Sequence, residues 1–288
     1  MEDWITAHKI PLGAWLRAAV DFLNRHAAGF FDFVILVLGS VIDGLLAVLT
    51  SVPPVLLLLL FAAGAYALHR SLRLAAGVLL GLLLIMNLGY WQAMLETLAL
   101  VLCATLVSVA VGIPVGIAAA HRPWLYRAIR PILDLMQTIP SFVYLIPAAM
   151  LFGLGKVPAI LATVVYATPP LIRLTDLGIR EVEREAVEAS RAFGATRWQV
   201  LTGVELPLAL PSIMQGINQT MMMALAMVVI ASMIGARGVG ETVLIGLQRN
   251  DPGTGLVGGL VIVLLAVIFD RTTQAIGHRL QAHRRAGG

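Results

Sequence analysis

The stretch EASRAFGATRWQVLTGVELP, residues 188–207, is charged, punctuated by Gly194 and closed by Leu206-Pro207, and it divides a chain that is otherwise built of apolar blocks. Those blocks set the fold. The chain has 288 residues, 59% hydrophobic and 12% charged, with a mean hydropathy of +0.90; an ordinary soluble domain carries about 25% charge. An α-helix of about 20 apolar residues crosses a bilayer core, whereas a transmembrane barrel shows short alternating strands. The sequence predicts an all-α polytopic membrane protein with about seven transmembrane helices, six to eight being the range its apolar blocks allow. The expected spans are 53–69, 74–90, 92–120, 131–152, 157–175, 207–234 and 256–275, several of them with internal prolines such as Pro114, Pro140 and Pro147.

The net charge of +4 does not imply a nucleic-acid partner, because the basic residues are scattered through the connections between apolar blocks. Arg70, Arg73, Arg122 to Arg130, Arg173 to Arg197 and the tail from Arg271 fall on one side of the predicted spans; Lys156, Arg237 and Arg249 fall on the other. Basic residues collect on the cytoplasmic side, which puts the C-terminus in the cytoplasm. No cleavable leader is expected from MEDWITAHKIP, which starts acidic and lacks an apolar core. Residues 12–30 place Leu12, Trp15, Leu16, Phe22 and Leu23 on one helical face and Arg17, Asp21 and Arg25 on the other, as in an interfacial amphipathic helix. Asp32, Gly39, Asp43 and Thr50 share one stripe of the next block, which either lies in the interface or spans with that stripe against protein. The orientation of this segment, with Lys9, Arg17 and Arg25, stays open. The expected organisation is a segment 1–52, two peripheral spans 53–90, a core 91–275 and a basic tail 276–288. Cys103 is the single cysteine, so no intramolecular disulfide forms, and its apolar setting reads as packing.

The loop around the opening stretch carries Asp176, Glu181, Glu183, Glu185 and Glu188 among Arg173, Arg180, Arg184, Arg191 and Arg197. Charge alone reads as a solvated helical face. The spacing says more: Glu188-Ala189, then Gly194, then Val204-x-Leu206-Pro207 resembles the cytoplasmic EAA loop of ABC-importer permeases. Beyond the loop, QAMLETLALVLCATLVSVAVGIPVGI, LDLMQTIPSFVYLIPAAMLFGLGKVPAI, PPLIRLTDLGI and LPLALPSIMQGINQTMMMALAMVVIASMIGARGVGE resemble the permeases of glycine betaine, proline betaine and choline importers, over about residues 90 to 275.

That resemblance implies a type I ABC-importer permease fold and a coupling helix within 176–206 that docks on a cytoplasmic ATPase. Glu188, Ala189, Arg191, Phe193, Gly194, Trp198, Leu206 and Pro207 would carry the coupling. Phe193 and Trp198 are suited to anchor in a partner pocket, Gly194 to end the helix in a left-handed turn, and Pro207 to occupy the first turn of the next span. The implied assembly has two permease copies, two ATPases that bind ATP and Mg, and an external substrate-binding protein, set in lipid in the bacterial inner membrane; this chain binds no cofactor itself. Polar and aromatic groups at Gln137, Thr138, Pro140, Ser141, Phe142, Tyr144, Asn218, Gln219 and Met222 either line the translocation path or bridge helices within one subunit. The sequence FGLGKV lacks the first glycine and the Ser/Thr of a phosphate loop, GARGVGE reads as punctuation of an outward-facing loop, and no catalytic or metal-ligating motif is present. An amino-acid permease of the ABC class and an ion-coupled transporter are the rival readings; the latter calls for inverted repeats and a midplane carboxylate.

Overall fold

The computed structural model of the chain describes residues 11–285; the N-terminal stretch through residue 10, Lys9 included, and residues 286–288 of the basic tail lie outside it. Fourteen α-helices follow one another among the described residues: α1 Leu12–His26, α2 Ala28–Ser51, α3 Pro54–His69, α4 Leu72–Asn87, α5 Trp91–His121, α6 Pro123–Thr138, α7 Leu145–Phe152, α8 Lys156–Ala167, α9 Pro169–Arg180, α10 Arg184–Ala192, α11 Arg197–Val200, α12 Leu206–Ala231, α13 Val239–Gln248 and α14 Pro252–Arg285. Among the described residues, five helical segments are long and apolar enough to cross a membrane, or up to six if the bent pair α6 and α7 counts as one, the lower end of the expected six to eight. The helices α3 and α4, at 16 residues each, fall short of the length a perpendicular span needs.

Three helices form the centre. The middle one, α9, lies between α5 and α12, and glycines let the backbones meet. A methyl group on Gly116 of α5 would stand 2.6 Å from the Thr175 side chain and 2.9 Å from the Ile172 carbonyl, so no side chain fits there. Leu171, Ile179, Ala209 and Ile213 form a small core where the three helices meet, with Leu206 packed against it. A larger core, with Ile85, Met94, Val101, Ile160, Met227 and Val261 almost wholly enclosed, joins α4, α5, α8, α12 and α14. Cys103 is buried in it, as its setting foretold.

The expected span 131–152 is broken at Pro140 and bent. The chain leaves α6 at Thr138, passes Pro140, makes a 3₁₀ turn over Ser141–Tyr144 and continues as α7, with a bend of 107° between the halves. Proline disfavours helical backbone at the residue before it, and Ile139 is extended at φ −68°, ψ 129°. The Tyr144 hydroxyl donates to the Met136 carbonyl at 2.8 Å and so fastens the two sides of the break.

The outward loop expected around GARGVGE is also different. Val239 is fully buried, its N–H donates to the Thr97 hydroxyl of α5 at 2.9 Å, and Gly240 is pressed against the Val228 carbonyl of α12. The glycines serve close packing, and α13 folds back onto the bundle. Of the α2 stripe, Gly39 faces Val157 and Asp43 accepts from Lys156 at 2.9 Å. Its middle thus lies against protein, and the lysine of FGLGKV is engaged in that pair. In α1, Asn24 on the polar side donates to the Met150 carbonyl of α7, while Leu12, Trp15, Leu16 and Phe22 are left uncovered.

Candidate functional site: a projecting helical loop

Between α9 and α12 the chain leaves the bundle and returns. The helix α10 has no buried residue, and its sequence REAVEASRA supplies alternating charge with three alanines that favour helix without adding bulk. It stops at Phe193. Gly194 then takes φ +81°, its N–H donates to the Arg191 carbonyl, and the Ala195 N–H reaches back to the Ser190 carbonyl. This double closure satisfies carbonyls that a helix end otherwise leaves open. Two residues on, Thr196 starts α11 with a reciprocal cap: its backbone N–H donates to the Gln199 side chain at 2.8 Å, and its hydroxyl accepts from the Gln199 N–H. The spacing Thr196-x-x-Gln199 announces this cap in the sequence, a signal that a reading centred on Gly194 passes over.

These two motifs fix the turn, and the turn presents the aromatics. Phe193 is 93% exposed and Trp198 70% exposed, side by side in sequence with the stop and the start. Glu188, Ala189 and Arg191 are exposed on the same projection. Leu206 and Pro207 are separated from these six; they are half-buried at the root, where Leu206 joins the small core. The expected start of the late span at 207 moves back to Arg197, because α11 runs into α12 through a π-helical turn, Leu201–Glu205. Pro207 has no N–H for the Gly203 carbonyl, and a widened turn accommodates its ring.

Both roots of the loop grip the end of α5. At the entry, Arg180 donates to Asp176 at 2.7 Å and to the Ala119 carbonyl at 3.2 Å, and lies 4.8 Å over the Tyr126 ring of α6. At the exit, Glu205 meets His121 at 2.8 Å. Arg173 of α9 also pairs with Asp134 of α6. Apart from the Arg180–Asp176 pair, four residues apart within α9, these hydrogen bonds join residues 39 to 84 positions apart, beyond what the sequence foretells.

The expected path residues divide. The turn Ser141–Tyr144 packs against α8 and α12, with Gln137, Thr138, Pro140 and Phe142 exposed beside it and Met222 at the margin of the main core. Gln219 is exposed as well. Asn218 takes the bridging role instead: it donates to Asp270 of α14 at 2.9 Å, and Asp270 also accepts from Gln274. Thr220, its neighbour, donates to the Ala167 carbonyl of α8. Among the described residues no group of acidic, histidine or cysteine side chains could hold a metal ion.

By its fold the chain is a polytopic helical membrane protein with a projecting helical loop, closed by two capping motifs at its aromatic tip and tied at both roots to the end of α5. Residues 112–282 match the family described as binding-protein-dependent transport system inner membrane component, and the chain belongs to that family. It is 45% identical to the glycine betaine/carnitine transport permease protein of Listeria monocytogenes over 95% of this chain and 98% of that one. It is 44% identical to the glycine betaine/proline betaine transport system permease protein of Escherichia coli, over 96% and 78%, and to the glycine betaine transport system permease protein of Bacillus subtilis, over 93% and 95%. A chain of the inward-facing MetNI methionine ABC transporter superposes with a TM-score of 0.60 at 25% identity, covering 68% of this chain and 97% of that one. The protein is thus a multi-pass inner-membrane permease subunit of a bacterial ABC importer, with no catalytic role, and membership implies an ATPase and a binding protein as partners.

Proposed function

We propose that this chain forms, as a homodimer, the membrane path of an ATP-driven importer for quaternary ammonium compounds such as glycine betaine, proline betaine, carnitine and choline. The substrates in the names of relatives that align over nearly the whole chain support that class. In this reading the fold is that of type I importers, with the short hairpin α3–α4 entering the bilayer as peripheral spans and the arginine-rich loops and C-terminus in the cytoplasm. The projection α10–α11 is the coupling helix. The carrying observation is the pair Phe193 and Trp198, exposed on a turn that two capping motifs hold rigid. Large aromatics held in the open by a preorganised backbone are the residues from which interfaces draw most of their energy.

ATP and Mg bind in the two partner ATPases. Closure of the ATPases on ATP carries the coupling helices with it, opens the permease dimer toward the binding protein, and hydrolysis returns it. Only unequal affinity of ATP and binding protein for the two states drives the cycle. The broken α6–α7 pair, with Gln137, Thr138, Pro140, Ser141, Phe142 and Tyr144, lines the path with Gln219 and Met222 of α12. A quaternary ammonium has no N–H to donate and is held by aromatic faces; Phe142 and Tyr144 offer such faces, while the main cage belongs to the binding protein.

The test is uptake of radiolabelled glycine betaine and choline by proteoliposomes holding this chain, its ATPase and its binding protein, beside Gly194→Asp. A side chain at φ +81° costs about 1 kcal/mol or more locally, and the added charge sits beside Phe193. We expect ATP-dependent uptake that the substitution abolishes through weaker assembly or lost coupling. Uptake without any ATPase would end this reading; ATP hydrolysis with neither amine moved would end the substrate assignment alone.

A further inference from the structure

The exit of the loop carries a contact whose chemistry the coupling reading leaves unused. Nδ1 of His121 lies 2.9 Å from the Ile117 carbonyl in the last turn of α5, and Nε2 lies 2.8 Å from Oε2 of Glu205. The carbonyl and the carboxylate are both acceptors, so the two ring nitrogens hold the imidazole between the α5 backbone and Glu205. Glu205 is 7% exposed and ends the π-helical turn, the kind of backbone irregularity that concentrates at functional positions.

The surroundings explain why this contact matters. Glu205 and His121 line an open cavity of about 510 Å³ with Arg191 and Arg197 of the projecting helices, the charged groups that face the pair from the loop. On the other side of the same α5 end, Arg180 holds the Ala119 carbonyl and Asp176. The entry and exit of the loop are therefore fastened two residues apart on one helix terminus. An untethered π turn would absorb a push on α10 and α11; a fastened one passes it on.

Resting on the coupling reading above, we propose that His121 and Glu205 are positioning residues of the transport cycle, a clamp that fixes the loop's exit to α5, opposite the Arg180 clamp at its entry, so that displacement of the coupling helices reaches α5. The clamp does no chemistry on substrate or ATP. It sets how much transport each hydrolysed ATP yields.

The experiment uses the assembled transporter in proteoliposomes with a mixture of radiolabelled glycine betaine, proline betaine and carnitine, and reads uptake per ATP hydrolysed. Glu205→Ala should still assemble and hydrolyse ATP but move about tenfold less amine per ATP, the size of an ordinary coupling between sites. Glu205→Gln, which keeps a hydrogen-bonding group, should lower the ratio less, and the exchanged pair His121→Glu with Glu205→His should restore it. If Glu205→Ala keeps the wild-type ratio, or if uptake and hydrolysis fall in proportion, the clamp is overturned. Phe193→Ala runs alongside: should it leave assembly and uptake intact, the coupling reading itself fails; should it disrupt assembly while the Glu205 variants keep the wild-type ratio, only the clamp does.

Discussion

Oδ1 of Asp251 accepts from the backbone N–H groups of Gly253 and Thr254, and Oδ2 accepts from the Thr254 hydroxyl at 2.6 Å. One residue thus closes the start of α14 in the connection that follows α13. The Thr254 hydroxyl, then the Thr254 and Gly253 N–H groups and the charge of Arg249, hold the carboxyl below the ordinary carboxylate range. A folded-state pKa lower than the unfolded one means that the carboxylate's contribution is complete above the unfolded value, about 4, and fades as pH falls through the folded value. Asp251→Asn should therefore lower the thermal midpoint at neutral pH, and the gap to wild type should narrow as pH drops below about 4. Thermal unfolding in detergent across that range measures it; a gap independent of pH would show that the charge does not matter. Single residues were legible in the sequence wherever backbone chemistry is local. Gly194 as a helix stop follows from its lack of a side chain, and the structure gives it φ +81°. The contact of Arg180 with the Ala119 carbonyl and the partners His121–Glu205 and Asn218–Asp270 were not legible, because they depend on which helices become neighbours.

At the scale of helices, α5, α9 and α12 act as one body because their backbones touch. Gly116 leaves no room for a methyl group against Thr175 and Ile172. Gly116→Ala must part α5 from α9 or shift Thr175, and overpacking of this kind costs about 1–3 kcal/mol. Gly203, in the π turn, meets nothing within 4 Å, so Gly203→Ala is the control that changes a glycine without forcing a contact. The expected outcome is a clearly lower thermal midpoint for Gly116→Ala and a small shift for Gly203→Ala; equal shifts would mean that glycine's backbone freedom, and not the close approach, accounts for both. The apolar runs foretold these helices well, since a span must satisfy its own backbone and has no alternative to helix. They did not foretell how sharply the chain turns at Pro140 or the return of α13. Hydropathy is blind to direction: an apolar segment that bends by 107° and one that runs straight have the same composition.

For the molecule as a whole, the comparison with the methionine transporter leaves about a third of this chain outside the shared fold, and the family match begins at residue 112. We read residues 1–52 as an accessory segment on a complete core. In the most apolar 18-residue window of α2, 6% is buried. Its fastenings include the edge contact of Phe31 with Phe152, the packing of Ile42 together with the partly buried Leu38, Leu45, Leu46 and Leu49, and the Asp43–Lys156 pair, whose side chains are 67% and 34% exposed. An ion pair so open contributes at most about 1 kcal/mol. In a bilayer, moreover, helices are not driven together by exclusion of water, and an apolar surface uncovered by removing α2 meets lipid tails as apolar as the leucines it lost. A chain starting at residue 53 should therefore still insert, pair with itself and bind its ATPase, with a thermal midpoint lower by about 5 °C. Co-purification with the ATPase and thermal unfolding of the shortened permease test this. Failure to bind the ATPase would place the N-terminal helices inside the working core, since the projection they would have to influence lies on α9 and α12, far along the chain from α2.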